Sequence, residues 1–432
     1  MIGVIPAHVY VIQRLGKHFL MPYNETDMDI ITRKLRHLKK HFSFTDEELA
    51  VIAKLYAGEP YPADSPAIAH LYEISEKTCE EYNLIFANRK LAHGKSKKQL
   101  LRLLFPTLPS FPGLIRRGLK LVIGMVDIED NVFINVCADF GKNTLVHLDK
   151  WSQLGPNFSL EEEQGVPAKT IEVGHDSWLG GKVKVKAGVT VGPDSTVGSG
   201  AYVAEDLPAS SLALGRPAAV RRPIDPSEPF HDGDCRPYSD EELEKIRLHY
   251  AKLGIRLPKK QFQSIFTGHA FSTLALRLDI LYLITQSLCA ELDDPDLDPG
   301  EREEIIDKLF PIHGKNVTIG KNFFLDLAGT VSLGDDVVIG DRVSIGGLVR
   351  VGNGAKIGDG CLLFGSNHPT SPTRRKTGWN EGLGLSIPVA YVPINVEDGA
   401  VLANDVCITP KATVRGEIPS GALVDPKGKI IP

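Results

Sequence analysis

Aliphatic residues recur at intervals of six along residues 339–363 of the chain. The positions are Ile339, Ile345, Val351, Ile357 and Leu363, and glycine directly follows the first four of them. An amphipathic helix repeats its apolar positions every 3.6 residues and a two-faced strand every two, so neither explains this spacing. A period of six is typical of short strands separated by tight corners, each strand sending one aliphatic side chain inward. The stretch therefore predicts a triangular prism in which three hexapeptides make one coil.

The same period runs through both halves of the chain. In the first half the ladder occupies Ile128, Ile134, Phe140, Leu148, Leu154, Leu160, Val173, Leu179, Val185, Val191, Val197 and Val203. In the second half it occupies Ile319, Leu325, Leu333, the five positions named above, Val396, Leu402, Ile408 and Val414. About four coils in each half, stacked at the ~4.8 Å spacing of neighbouring strands, predict two prisms on the order of 20 Å tall.

A helical region precedes each ladder. Thr45 stands three residues before Glu48, and Ser239 stands three residues before Glu242. Both pairs fit the capping box that opens a helix. Each helical region then ends in Leu-Phe-Pro, at residues 104–106 and 309–311. The chain is therefore predicted to contain two copies of one architecture.

These patterns predict a mainly β chain with two parallel β-helices, each preceded by a small α-helical region. The predicted segments are an N-terminal extension (1–42), a first helical region (43–112), a first β-helix (113–222), a Pro-rich linker (223–237), a second helical region (238–311) and a second β-helix (312–432). The N-terminus has no basic n-region, and Pro6 and His8 interrupt its apolar stretch. We therefore expect no signal peptide and a cytoplasmic protein.

Composition narrows the classes of function. The formal net charge of −5 gives no reason to expect a nucleic acid or an anionic membrane as partner. Six cysteines are scattered along the chain without a CxxC motif or Cys/His pairs at metal spacing. We expect free thiols in a reducing compartment and no metal site.

The second ladder ends in Asn367-His368-Pro369, where the repetitive scaffold carries a proton acceptor. An imidazole with an ordinary pKa near 6.5 can take the proton of an alcohol at neutral pH. The alternative is that His368 only caps a turn before Pro369. Two insertions break the repeat, at residues 161–170 and 369–393, and insertions of this kind are often functional.

Four motifs carry a resemblance to a known family. They are Ala57-Gly58-Glu59-Pro60-Tyr61 with Glu80-Glu81-Tyr82-Asn83, Ile171 to Gly181 with its Trp178-Leu179-Gly180-Gly181, Leu214-Gly215-Arg216-Pro217-Ala218-Ala219-Val220, and Ser366-Asn367-His368-Pro369. Together they resemble the maltose and galactoside O-acetyltransferases, which are hexapeptide-repeat acyltransferases. The resemblance implies left-handed parallel β-helices, homotrimers, and acetyl-CoA as co-substrate in the cleft between neighbouring prisms.

The resemblance and the chemistry of the side chains together predict roles for individual residues. His368 is expected to be the general base, and the acceptor is expected to lie near Asn135, Asp326, Arg374 and Trp379. Contacts to CoA are expected from Trp178, Gly180, Gly181, Gly215, Pro217, Ala218 and Arg221. The alternatives remain open: Trp178 packs in a core or a trimer interface, and Arg221 belongs to an exposed Arg-rich tail. Arg374 equally fits a solvated loop, and Asp326 either orients His368 or is a solvated corner residue.

The two copies depart from the family in complementary ways. The first half keeps Trp178 but has no His-Pro, whereas the second half keeps His368 but has Val401 at the tryptophan position. One hypothesis is therefore a CoA-dependent O-acetyltransferase that acts on a sugar or another small hydroxylated acceptor. The other is a catalytically degenerate scaffold. A metal-dependent hydratase would need three converging imidazoles, which the ladders do not offer.

The sequence leaves two arrangements of the prisms open. Three chains can stack their first and second prisms as separate layers of a trimer. Alternatively, the two prisms of one chain can pair, so that the CoA-binding wall of the first half faces His368 of the second.

Overall fold

The computed structural model describes most of the chain. The described residues are 25–62, 64–87, 96–110, 113–162, 169–228, 230, 235, 237–272, 276–375 and 388–432. Trp379, which was expected near the acceptor, lies outside the described residues.

The first half forms a prism with three sheets. One sheet has the order β1 (Leu114–Ile115), β3 (Phe133–Ile134), β5 (Gln153–Leu154), β8 (Trp178–Leu179), β11 (Thr196–Val197), β13 (Ser211–Leu214) and β14 (Ala219–Pro223). The second contains β2 (Val126–Ile128), β4 (Leu145–Leu148), β7 (Thr170–Val173) and β10 (Thr190–Val191). The third contains β6 (Ser159–Glu161), β9 (Lys184–Lys186) and β12 (Tyr202–Val203).

The second half repeats this plan. One sheet contains β16 (Thr318–Ile319), β19 (Val338–Ile339), β22 (Lys356–Ile357), β27 (Val401–Leu402) and β30 (Glu417–Ile418). The second contains β17 (Phe324–Leu325), β20 (Ser344–Gly346), β23 (Leu362–Phe364), β28 (Cys407–Ile408), β31 (Leu423–Val424) and β32 (Ile430–Ile431). The third contains β18 (Val331–Leu333), β21 (Val349–Val351), β26 (Ile394–Val396) and β29 (Thr413–Val414). A small separate sheet joins β15 (Phe271–Ser272), β25 (Pro388–Tyr391) and β24 (Ser366–Asn367).

The six-residue ladder explains this geometry. Successive ladder residues Ile339, Ile345 and Val351 belong to three different sheets, and Ile357 returns to the sheet of Ile339. All four side chains are buried, because each strand turns one aliphatic residue towards the prism axis. Strands of successive coils pair in parallel within each prism, which confirms the prediction of a mainly β chain built from parallel sheets.

Some corners use polar residues with positive φ. Asn131, Asn157 and Asn322 have φ values of 63°, 57° and 54°. Asparagine tolerates this left-handed conformation better than most side chains, because its short amide can bond the local backbone. Asparagine therefore turns corners of both prisms at these positions.

Helices precede both prisms. They are α1 (Glu25–Phe42), α2 (Asp46–Tyr56), α3 (Pro66–Ala87) and α4 (Lys97–Leu104) in the first half, and α5 (Asp240–Lys252), α6 (Lys259–Thr267), α7 (Leu276–Glu291) and α8 (Pro299–Leu309) in the second, with a short α9 (Pro372–Arg375) later. The predicted capping boxes open α2 and α5. Helix α1 falls within residues 1–42, the segment predicted to be an N-terminal extension. In the described part of the chain, no helix combines the length and apolar character that crossing a membrane requires.

The two prisms pack side by side and point in the same direction. Contacts between them are Arg117 Nη2 to the Phe323 carbonyl at 3.3 Å, Ser344 Oγ to Asn157 Oδ1 at 3.4 Å, Lys182 Nζ to the Gly360 carbonyl at 2.8 Å, and Arg216 Nη1 to the Gly421 carbonyl. From the first of these contacts to the last, the residue numbers rise in both prisms, from 117 to 216 in the first and from 323 to 421 in the second. Each coil of the first prism therefore lies beside the corresponding level of the second.

Gly181 permits the close approach of the prisms. A Cβ atom at this position would lie 2.8 Å from Leu362 Cδ2 of the second prism. Real Cβ atoms do not approach another carbon so closely, so a side chain here would force the end of the Leu362 side chain, or the prism surface that carries it, to shift. Gly181, predicted as a CoA contact, thus has a packing function as well.

Arg375 attaches the His368 segment to the first prism. Its guanidinium is 1% exposed and donates to Thr196 Oγ1 at 3.0 Å and to the carbonyls of Pro369 at 3.1 Å and Asp176. Burial lowers the pKa of Arg375 to about 10, while the carboxylates of Asp176 and Asp194 oppose this shift. The guanidinium still carries its charge at neutral pH. Its hydrogen bonds are therefore charge-assisted and satisfy carbonyls from both halves.

We predict that Arg375→Ala releases residues 366–375 from the first prism. Several buried acceptors would lose their donor, at a cost of about 3 kcal/mol. Hydrogen exchange measured by mass spectrometry should therefore be about a hundredfold faster in this segment, since 1.4 kcal/mol corresponds to a factor of ten. Arg374→Ala, on the exposed side of the same short helix, is the matched control. Equal protection in both variants would contradict this role for Arg375.

Candidate active site

A cleft of about 610 Å³ lies between the two prisms. Its first wall comes from the first prism and includes Phe133, Trp178 and Leu212. Its second wall comes from the second prism and the small sheet, and includes Asp326 and His368. Both walls of this inter-prism cleft therefore come from one chain. Of the two arrangements that the sequence left open, the structure has the paired one.

The cleft follows the seven-stranded sheet along the prism axis. Lining residues belong to or follow β1 (Leu114, Arg116), β3 (Phe133, Asn135), β8 (Trp178, Gly181), β11 (Thr196, Val197, Gly198, Ser199) and β13 (Leu212, Leu214). At ~4.8 Å per strand, the five steps from β1 to β13 span about 24 Å. Strand β8 lies between these ends, so Trp178 divides the cleft into a β1 side and a β13 side.

His368 faces Trp178 across the cleft. The two ring centroids are 4.6 Å apart and the planes are tilted by 46°. The sequence separates these residues by 190 positions, and only the pairing of the prisms brings them into contact. Trp178 is 9% exposed and also packs in a cluster with Phe133, so the packing role considered from the sequence is present together with the cleft position.

The environment of His368 keeps its imidazole neutral. Burial lowers the pKa of His368 to about 4, and the nearby positive charge of Arg375 acts in the same direction. The ring nitrogen Nδ1 lies 3.2 Å from the Pro388 carbonyl. A carbonyl only accepts, so Nδ1 carries the hydrogen, and Nε2 of the neutral ring keeps its lone pair. This tautomer can accept a proton at Nε2.

The β1 side of the cleft is polar. Tyr391 donates its hydroxyl to Asp326 Oδ2 at 2.6 Å, and burial together with Asp326 raises the pKa of Tyr391. Arg116 Nη1 lies 4.0 Å from Asp326 Oδ1 and 3.4 Å from Asn135 Oδ1. The predicted acceptor residues Asn135 and Asp326 are thus brought together, although they come from different halves. Asp326 is not a solvated corner residue, because Tyr391 and Arg116 surround it.

The β13 side of the cleft is lined by fewer kinds of side chain. Its lining residues are Val197, Gly198, Ser199, Leu212, Leu214, Thr409 and Pro410. They carry small or aliphatic side chains and hydroxyl groups but no charged side chain. Such a wall suits an uncharged, flexible chain better than a sugar ring with many hydroxyl groups.

Six other predicted site residues are not among the described residues that line the cleft. They are Gly180, Gly215, Pro217, Ala218, Arg221 and Arg374. Gly180 lies against Ser199 of the next coil, where a Cβ atom would be 2.6 Å from its backbone nitrogen. Gly215 follows the lining residue Leu214. Arg221 is exposed on β14, and Arg374 is exposed on α9.

Four cleft or anchoring residues were not among the predicted site residues: Lys97, Arg116, Tyr391 and Arg375. Arg375 and Tyr391 were visible within the second insertion, but nothing in the sequence distinguished them from the neighbouring Arg374. Arg116 stands in the mostly apolar stretch 114–126, and a charged residue in such a stretch could have indicated a functional position. Its importance depends on contacts with Tyr282 and Asp326, which lie more than 160 residues away in sequence.

Comparison with known proteins identifies related segments. A Staphylococcus aureus (strain COL) protein, provisionally named an acetyltransferase, is 43% identical over 79 residues, which cover 18% of this chain and 40% of that protein. A "Probable acetyltransferase" of Mycobacterium tuberculosis (strain ATCC 25618 / H37Rv) is 32% identical over 121 residues, or 26% of this chain and 39% of that protein. The galactoside O-acetyltransferase of Escherichia coli (strain K12) is 39% identical over 54 residues, or 12% and 27%. The chain thus spans at most about two fifths of these relatives.

Solved structures give matches of similar extent. A hexapeptide-repeat acetyltransferase from Vibrio cholerae O1 biovar eltor, complexed with acetyl coenzyme A, has 23% identity and a TM-score of 0.36, with 40% of this chain and 98% of that chain covered. A maltose O-acetyltransferase from Clostridium difficile 630 has 21% identity and a TM-score of 0.34, with 40% and 97% covered. No family model matches the chain. The curated relatives confirm the resemblance found in the sequence: the chain carries a segment related to acetyltransferases, among them galactoside O-acetyltransferase.

Proposed function

We propose that the protein is a CoA-dependent O-acetyltransferase that moves an acetyl group from acetyl-CoA to a hydroxyl of a sugar or another small acceptor. The observation that carries the proposal is the contact of His368 with Trp178 inside the inter-prism cleft. A neutral imidazole at the centre of a long open cleft can serve as a base between two ligands that enter from opposite ends. The named relatives support the same class of reaction.

The reaction needs a base because an alcohol is a poor nucleophile until its proton is removed. In the proposed step, Nε2 of His368 accepts the hydroxyl proton while the alcohol oxygen forms a bond to the thioester carbonyl carbon. The tetrahedral intermediate then breaks its C–S bond. The CoA sulfur leaves and takes the proton back from the imidazolium, so acetyl ester and CoA thiol are formed without any other reactant.

The two sides of the cleft suit different ligands. The polar β1 side, with Asn135 and Asp326, offers acceptors and donors to a hydroxylated molecule. The β13 side, with Leu212 and Leu214, offers an uncharged wall to the pantetheine arm of CoA, and Gly181 and Trp178 border the thioester. Gly215, Pro217, Ala218 and Arg221 lie beyond this end of the cleft, where we propose that they approach the rest of CoA.

One site per chain follows from the pairing of the prisms. The first half provides the wall with Trp178 and the second half provides His368, so the two copies together form what the resemblance implies for two neighbouring subunits. We propose that the coils are left-handed, as in that family. The homotrimer that the resemblance implies is not required to build this site.

The degenerate scaffold makes a different prediction about ligands. A scaffold would retain the packed prisms but would have no reason to keep an open cleft around a neutral imidazole. Calorimetric titration with CoA separates the two hypotheses. The enzyme is expected to bind CoA below millimolar concentration, and a complete lack of binding at millimolar CoA would favour the scaffold.

We predict that His368→Gln lowers the rate of acetyl transfer by about a hundredfold to ten-thousandfold, the usual range for loss of a general base. Release of the CoA thiol from acetyl-CoA, measured with a thiol reagent over a panel of sugars, reports the rate. CoA affinity should stay within about threefold of the wild type, because the base is not a binding group. His147→Gln, on β4 outside the cleft, is the matched control and should keep wild-type activity. Wild-type turnover in the His368 variant would exclude His368 as the base.

The pH profile provides an independent prediction. A base works in its deprotonated form, above its pKa, and burial lowers the pKa of His368 to about 4. The value of kcat/KM should therefore stay constant within about twofold from about pH 8 down to about pH 5.5, and decline only at lower pH. An imidazole in water would instead lose half of its activity near pH 6.5. A midpoint there would show that the resting environment of His368 does not govern the reaction.

A further inference from the structure

Two cationic side chains lie at the β1 end of the inter-prism cleft. Lys97, from the first turn of α4, and Arg116, directly after β1, both line it. The other charged residue among the described lining residues is Asp326, since His368 is neutral. Two positive charges and one negative charge give this end of the cleft a formal charge of +1.

The guanidinium of Arg116 is held by aromatic rings. Its Cζ atom lies 4.3 Å from the ring centroid of Tyr282 and 5.5 Å from that of Phe133. Contacts of this type fix the plane of the group and leave its edges for hydrogen bonds. A planar guanidinium of fixed orientation is well suited to bind the two oxygens of a carboxylate or phosphate.

The protein satisfies this guanidinium only in part. The distances from Nη1 to Asn135 Oδ1 and Asp326 Oδ1 are 3.4 and 4.0 Å, both longer than a good charge-assisted hydrogen bond. The buried Nε atom has no hydrogen-bond partner among the described residues. The second carboxylate oxygen of Asp326 is occupied by the Tyr391 hydroxyl at 2.6 Å. Asp326 therefore neutralises Arg116 incompletely.

Lys97 adds a like charge at the same place. Burial, together with repulsion by Arg116, lowers the pKa of Lys97 to about 8. Two cations that disfavour each other in a partly dry cleft would both gain from an anion placed between them. The incomplete hydrogen bonding of Arg116 and the repulsion between the two cations both favour an anionic ligand at this end of the cleft.

The position of the two cations indicates that an anionic group bound beside them would belong to the acceptor and not to CoA. They lie at the β1 end, whereas the uncharged wall that suits pantetheine lies at the β13 end, on the other side of Trp178 and His368. Asn135 and Asp326, the predicted acceptor contacts, adjoin Arg116. An acceptor that presents its hydroxyl to His368 would direct its other end towards Arg116 and Lys97.

We propose that the natural acceptor carries an anionic group, a carboxylate or a phosphate, which Arg116 and Lys97 bind at the β1 end of the cleft. This inference rests on the proposed acetyl transfer and specifies the chemical class of the acceptor. Arg116 acts as a specificity-determining residue, because it contacts the acceptor away from the reacting hydroxyl.

Acetyl transfer to matched acceptors tests the proposal. Glucose, glucuronate and glucose 6-phosphate share one ring and differ in the charged group. The wild type should prefer at least one of the two anions over glucose by about tenfold or more in kcat/KM, and the preferred anion identifies carboxylate or phosphate. Arg116→Ala should remove this preference through KM, and Arg116→Lys should restore part of it. Lys120→Ala, which removes an exposed positive charge of the first half outside the cleft, should leave it unchanged.

A binding measurement keeps the proposal separate from the transfer reaction. Inorganic phosphate, glucuronate and glucose 6-phosphate are titrated into the full chain and followed by calorimetry. The wild type and Lys120→Ala should bind the preferred anion at least about tenfold more tightly than Arg116→Ala does. Equal affinity in all three proteins would overturn the anion site. Anion binding that depends on Arg116, without any transfer to the three acceptors, would support the site and count against the proposed acetyl transfer.

If glucose is acetylated as efficiently as both anions, the inference about the acceptor is wrong while the acetyltransferase proposal stands. The same conclusion follows if Arg116→Ala keeps the preference for an anion. Circular dichroism of each variant at the assay temperature verifies that the compared proteins are folded.

Discussion

The inter-prism cleft depends on one constraint, the level-by-level lateral packing of two parallel prisms. Contacts such as Arg117 with Phe323 at one end and Arg216 with Gly421 at the other keep the coils at matching heights. A shift by one coil would move each residue about 4.8 Å along the axis. Trp178 would then no longer face His368, and Asn135 would no longer lie near Asp326. Regular coils make this registration possible, because both prisms have the same rise per turn.

Each half contributes what the other lacks. The first prism provides an apolar wall with Trp178, and the second provides the only His-Pro of the chain at residues 368–369. Because the halves face each other within one chain, neither copy needs a complete set of site residues. The complementary losses seen in the sequence are thus compatible with one intact cleft per chain, which is a physical alternative to loss of function in both copies.

Desolvation then sets the chemistry of the cleft. Burial keeps His368 neutral and favours the form that accepts a proton, while the Pro388 carbonyl selects its tautomer. Arg375 stays charged although it is buried, because the carboxylates of Asp176 and Asp194 favour its charged form and carbonyl oxygens accept its hydrogen bonds. At the β1 end, Arg116 is less well compensated, because its Nη1 lies 4.0 Å from Asp326 Oδ1 and 3.4 Å from Asn135 Oδ1. The protein thus surrounds Arg375 with hydrogen-bond acceptors and leaves Arg116 only partly satisfied where a ligand can enter.

The coils can be read from the sequence, because burying one aliphatic residue every six positions is a local rule that Ile339, Ile345 and Val351 obey without reference to distant residues. The capping boxes of α2 and α5 are local for the same reason, and His368 stood out because it interrupts the repeat. Which side chains share the cleft was decided only by the tertiary structure. Trp178 with His368, Arg116 with Asp326, and Arg375 with Asp176 are contacts between prisms, and no period along the chain encodes the lateral packing that creates them. For that reason Asn135 and Asp326 were found by resemblance, whereas the roles of Arg116, Lys97 and Arg375 required the folded chain.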